Sequence, residues 1–150
     1  MQKLTAHFSL EELTQSSTAQ RLGIDNTPPA DILPRLQNLA EGLEAVRGHL
    51  RLYSVPIHID SGYRCPALNT AVKGAADSAH MTGYAADFTC DMVGTPLEIV
   101  QTLLKTDIQF DELICEGTWI HISFAPTLRR RVLTAHFGNG GTTYTEGVVV

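Results

Sequence analysis

A chain of 150 residues, 43% hydrophobic and 18% charged, has room for one core and reads as a single domain over residues 1–150. Its net charge of -5 excludes a general nucleic-acid binder, because phosphate contacts need clustered Lys and Arg and only Arg129, Arg130 and Arg131 stand together. No run approaches the ~18 consecutive apolar residues of a membrane span, and residues 1–7 lack the apolar core of a secretory signal, so the expected product is a chain made in the cytoplasm without a signal peptide and not inserted in a membrane.

In chain order, Ser9 followed three residues later by Glu12 is the reciprocal pattern of a helix start and predicts a short first helix. Gly23 and then Asn26, Thr27, Pro28 and Pro29 break it. From residue 31 to about 50, Ile32, Leu36, Leu39, Leu43, Val46 and Leu50 recur at three- and four-residue steps, which predicts the main core helix with Pro34 in its first turn. Val55, Ile57 and Ile59 alternate with other residues as on a half-buried strand ending at Ser61 and Gly62. Pro66 opens a short helix that the pattern closes at Lys73 and Gly74. Thr95 and Glu98 repeat the helix-start pairing ahead of Leu97, Val100, Leu103 and Leu104. Strands are expected at residues 110–116 and 119–124, joined tightly at Gly117 and Thr118, and again at 131–137. The tail over residues 138–150 reads as loose.

Side chains two apart on a strand share a face, so Trp119, His121 and Ser123 point one way, as do Ala85, Asp87 and Thr89 on their own strand. If those strands are antiparallel neighbours, Asp87 and His121 converge, and His80 reaches in from the turn that Gly83 permits. Two imidazoles and a carboxylate make three protein ligands, the number a catalytic zinc site uses while leaving the fourth position to water. Cys65, Cys90 and Cys115 stand singly and do not close the set. A His and an Asp seven residues apart is a common spacing, so a plain structural reading stands beside the metal one on spacing alone.

The motifs Ser78-x-His80-x-x-Gly83-x-Ala85-x-Asp87 and Trp119-x-His121, with Ser61-Gly62-Tyr63-Arg64 upstream, resemble the zinc-ligand pattern of the D-alanyl-D-alanine carboxypeptidase family of metallopeptidases. That family includes D-alanyl-D-alanine dipeptidases and phage L-alanyl-D-glutamate endopeptidases, and the resemblance runs from about Phe8 to Thr134. The hedgehog signalling domain is similar at the same ligands. The resemblance implies an α+β fold in which helices pack on one face of a small antiparallel sheet, with the cleft on the other. It implies one zinc ion per chain on His80, Asp87 and His121, with Glu116 as general base and Arg64 holding the oxyanion or a substrate carboxylate. Glu116 stands five residues before His121, whereas the dipeptidase branch has its glutamate at the position of Thr118, so Glu112 and then Asp111 are kept as further candidates. Trp119, Ser78 and Ser61 are the expected substrate-side residues; core packing, a turn serine and a strand-end cap are their structural alternatives.

The implied activity is hydrolysis of a peptide bond in peptidoglycan stem peptides, as a D-Ala-D-Ala carboxypeptidase or an L-Ala-D-Glu endopeptidase. A phage or prophage lysin, acting on the cell wall after release or from a virion, fits the absent signal. The competing class is a zinc-containing module that binds cell wall or protein without hydrolysis, which would have no need of Glu116 and Arg64.

Overall fold

In the computed structural model, which describes residues 1–148, the helix starts stand where the sequence caps them. Helix α1 (Leu10–Thr14) opens on Ser9, whose hydroxyl accepts the Glu12 N–H while the Glu12 carboxylate accepts that of Ser9, satisfying donors that a helix start otherwise leaves free. Where one short helix is expected, the chain forms two, because Ser16 caps α2 (Ser17–Leu22) before Gly23 ends it in the left-handed region. The long helix α3 (Leu33–His49) carries Pro34 in its first turn and buries Leu36, Leu39, Ala40, Leu43 and Val46. After β1 (His58–Ser61) and α4 (Pro66–Ala71), the left-handed residue is Lys73, not the expected Gly74. Gly74 serves proximity instead, since a Cβ there would collide with the side chain of Asn69.

The remaining elements are β2 (Ala85–Thr89), α5 (Pro96–Leu104), β3 (Glu112–Cys115), β4 (Ile120–Ser123), β5 (Arg131–Gly138) and β6 (Gly141–Glu146). Helix α5 starts on the expected Thr95–Glu98 pair and buries Ile99, Val100 and Leu103, while Leu97 lies 39% exposed. The strands form one sheet in the order β1-β2-β4-β3-β5-β6. Its neighbours are antiparallel except β3 and β5, which run parallel. The chain reverses after β3 and again after β4, so β5 takes the direction of β3 and docks on its free side. The small antiparallel sheet expected from the sequence is therefore present with one parallel pair added.

The expected loose tail is corrected at its first part. Residues 141–146 form β6, paired with β5 from Leu133↔Glu146 to Gly138↔Gly141; residues 149–150 lie outside the described part. Every β6 residue is exposed, so this strand is held by backbone pairing, with no apolar alternation to announce it.

Pleat alternation separates core from cleft. Ala86 and Phe88 of β2, Ile120 and Ile122 of β4, and Leu113 and Cys115 of β3 join the α3 and α5 side chains in the main core. Asp87, His121 and Ile114 face the opposite side, where Ile114, Leu133 and Ala135 make a small second apolar cluster under the hairpin. Among the described residues no helix is long and apolar enough to cross a membrane.

Candidate active site

Asp87 and His121 sit directly opposite one another in the β2–β4 register, on the face away from the helices. His121 Nδ1 lies 2.9 Å from Asp87 Oδ1, and His80 Nε2 lies 3.1 Å from the same oxygen. His80 comes from the turn before β2, where the Ser78 hydroxyl accepts the His80 N–H (3.3 Å) and Gly83 takes a φ of 80°. One ligand atom from each of the three residues lies within 4.8 Å of the others.

The proton positions suit a cation. The Gly62 carbonyl, 2.7 Å from His80 Nδ1, can only accept, so the imidazole proton sits on Nδ1 and Nε2 turns a lone pair toward the carboxylate. Burial pushes the His80 pKa down and keeps the ring neutral. Burial opposes the ionised form of Asp87, yet its carboxyl is held well below the usual range, and with His80 neutral the group that can donate to it is His121 Nδ1 at 2.9 Å. A bare Nε2 and a carboxylate oxygen thus face each other at 3.1 Å, two acceptors that a metal ion between them would reconcile. Two nitrogens and one oxygen also suit zinc, and fixing the tautomer through a carbonyl is how histidine ligands are oriented. Burial alone would lower His121 as well, but its hydrogen bond to Asp87 and the charges of Asp87, Glu112 and Glu116 raise it.

Gly62 has a second constraint, because a Cβ there would collide with the Leu13 backbone carbonyl. The adjacent Tyr63 N–H donates to that carbonyl at 2.7 Å, so this backbone contact cannot open without shifting the end of β1. Gly62→Ala is expected to cost about 1–3 kcal/mol of stability, the range for overpacking, and to weaken metal binding by displacing the carbonyl that orients His80. Denaturant unfolding and metal titration of the same variant check the two effects.

Arg64 follows β1 and is fixed at both ends. Its N–H donates to His80 O (3.1 Å), and its guanidinium reaches Asp87 Oδ2 (3.3 Å), Ser61 Oγ (3.1 Å) and Asn69 Oδ1 (3.5 Å). Burial lowers its pKa, opposed by Asp87 and Glu116. Ser61 is not among the described residues that line the cleft, and its hydroxyl accepts from Arg64 Nε. Asn69, buried on α4 and also donating to Ala75 O at 2.9 Å, is a partner of Arg64 that the sequence does not single out. A lone Asn in a short helix carries no signal that separates it from a surface residue.

A cleft of about 570 Å³ opens over the three ligand-like residues, lined on its far side by Glu116, Trp119, Arg129, Arg131 and Tyr144, and on its near side by Ser78. Trp119 packs against Phe137 with ring centroids 6.0 Å apart, so it is both a wall and a packing residue. The three acids differ in their partners. Asp111 is bound by Arg129 at 2.6 and 3.1 Å, which lowers its pKa, and accepts from Ser123 Oγ at 3.4 Å. Glu112 pairs with Arg131 at 3.5 Å. Glu116 has no ion pair within 4.0 Å among the described residues; burial, with the nearby charges of Asp87 and Glu112, raises its pKa against the pull of His121 and Arg64. A carboxyl so raised gives up its proton less readily than an ordinary glutamate, as a group that takes and returns a proton must.

The sheet presents an unclosed His-Asp-His donor set that could hold a metal ion at the floor of an open cleft, with an arginine and a carboxyl free of ion pairs among the described residues lining the same cleft. The chain belongs to the Peptidase M15 family, whose model matches residues 6–123. Among curated proteins no match is found. Membership supports a peptidase acting on peptidoglycan peptides and a metal at the buried His80, Asp87 and His121 group. Arg64, Glu116 and all three ligand-like residues fall inside the match, whereas Arg129, Arg131 and Tyr144 fall outside it. The match ends at residue 123, short of the Thr134 to which the sequence resemblance extends.

Proposed function

We propose that this chain is a zinc-dependent peptidase that cleaves a peptide bond in bacterial peptidoglycan stems, D-Ala-D-Ala or L-Ala-D-Glu. The observation that carries this reading is the pair of facing acceptors, His80 Nε2 and Asp87 Oδ1, completed by His121 in a cleft that also holds Glu116. Bound zinc would supply Lewis-acid polarisation of water and of the scissile carbonyl. Glu116 takes the proton from the water as its oxygen adds to the carbonyl carbon, and gives it to the amine as the C–N bond breaks. Arg64, held by Ser61 and Asn69, offers N–H donors to the oxyanion or to a stem carboxylate. A non-hydrolytic module would have no use for an unpaired, pKa-raised carboxyl beside the metal group.

Purified muropeptides incubated with zinc-loaded protein and analysed by mass spectrometry test the reading. Loss of one alanine identifies the carboxypeptidase, and release of the stem after L-Ala identifies the endopeptidase. No cleavage by protein shown to contain zinc sinks the proposal. On the substrate that is cleaved, Arg64→Ala is expected to lower kcat/KM by about 10²-fold, the scale for removing one oxyanion donor, and unchanged kinetics would remove Arg64 from the reaction.

A further inference from the structure

The hairpin of β5 and β6 lies beyond the family match yet builds one wall of the cleft. Its register shows which residues face in. Leu133 and Ala135 share the cleft face with Ile114, and Tyr144 is paired directly with Ala135, so Tyr144 projects to the same side. The Glu116 N–H donates to Trp119 O at 3.0 Å, and the parallel pairing of Cys115 with Thr134 brings Glu116 level with Ala135. Trp119, Glu116, Ala135 and Tyr144 therefore form one row across the sheet. Ala135 is the small member, so within the row no bulky side chain stands between Tyr144 and Glu116.

The donors on this wall are unequally committed. Arg129 is bound to Asp111, and Arg131 to Glu146 at 3.1 Å and Glu112 at 3.5 Å. The Tyr144 hydroxyl has no hydrogen-bond partner among the described residues, and the side chain is half exposed. Burial of the phenol, followed by the charges of Glu116, Glu112 and Asp87, raises its pKa and keeps it a protonated donor. Glu116, the acid on this row, can only accept once ionised, so an incoming peptide oxygen needs a donor here.

We propose that Tyr144 is a substrate-contacting residue whose phenol donates a hydrogen bond to an oxygen of the stem peptide lying past Glu116, on the side of the leaving amine. Glu116 delivers its proton to that amine, so the peptide segment that departs lies between Glu116 and the hairpin wall. The assignment rests on the peptidoglycan reading above and adds the hairpin as the part of the chain that selects the leaving portion.

Tyr144→Phe removes only the hydroxyl and keeps the ring. Placed in a zinc-loaded Glu116→Gln background to prevent turnover, it is titrated with a pentapeptide stem ending in D-Ala-D-Ala. Binding is followed by calorimetry and by tryptophan fluorescence, which in this chain reports Trp119 alone. The dissociation constant is expected to rise about tenfold, the scale of one net hydrogen bond, with zinc content and thermal midpoint unchanged. Equal affinity within about twofold of the Glu116→Gln parent overturns the Tyr144 assignment and leaves the peptidase reading standing. Failure of that parent itself to bind the stem overturns the peptidoglycan reading, and the Tyr144 assignment falls with it.

Discussion

His121→Ala is expected to lose its bound metal and, with it, hydrolysis, by about 10³-fold or more, since Lewis-acid stabilisation is worth several kcal/mol and each 1.36 kcal/mol is tenfold in rate. His121 is one of three donors, and it faces Asp87 from a directly opposed strand position, so its loss leaves two ligands and a half-neutralised buried carboxylate. Metal content per chain after dialysis, measured by plasma mass spectrometry, is the direct readout. His58→Ala is the matched control, because the His58 side chain is 71% exposed on the edge strand and, among the described residues, pairs only with Asp60 at 3.4 Å. A His121→Ala protein that keeps one zinc at parental affinity would refute the ligand set.

The same site has a pH signature. The raised His121 pKa means that the metal-free ring holds its proton to higher pH than a free imidazole, and that proton must leave when a metal binds. Metal affinity is therefore expected to fall as pH is lowered through the His121 titration, by up to about tenfold per pH unit for each proton displaced. A pH-independent affinity across that range would mean that His121 enters the site already neutral.

The metal group was legible in the sequence because two simple rules cooperate. Alternation along a strand puts Asp87 and His121 on the side opposite Ala86, Phe88, Ile120 and Ile122, and the glycine at 83 marks the turn that returns His80 to them. The capped helix starts at Ser9 and Thr95 were legible for a similar reason, since each motif satisfies its donors within four residues. Features that depend on distant chain were not. The parallel pairing of β3 with β5 follows from where a loop of residues 124–130 sets the chain down, and no local pattern encodes it. Strand β6 is polar and exposed throughout, so periodicity had nothing to register, and Tyr144 entered the cleft unannounced. Ser61 has the residue type of a substrate contact, but its role is decided by Arg64 folding back onto it. The resemblance put Glu116 ahead of Glu112 and Asp111, but the arginines that occupy the latter two come from the other side of the β3–β5 pairing and lay beyond sequence.

That choice sets the second large effect. Glu116→Gln is expected to retain zinc and fold while losing about 10²–10⁴-fold in kcat, the range for removing a general acid–base group. The amide fills the same space but neither takes a proton from water nor returns one to the leaving amine. Glu112→Gln is expected to change kcat little, because Glu112 is held by Arg131 at 3.5 Å and, at 4.0 Å, by Arg129, which tie up its oxygens. Glu116 carries no such partner, and its upward shift from burial brings it closer to the pH at which a group can serve as base and then acid. The pH–rate profile separates this from a structural effect. In the parent, the acid limb of kcat/KM reports a carboxyl titrating above the ordinary glutamate range; in Glu116→Gln that limb disappears from the residual activity. If Glu116→Gln keeps full activity and Glu112→Gln loses it, the proton route runs through Glu112, and its pairs with Arg129 and Arg131 must open when substrate binds.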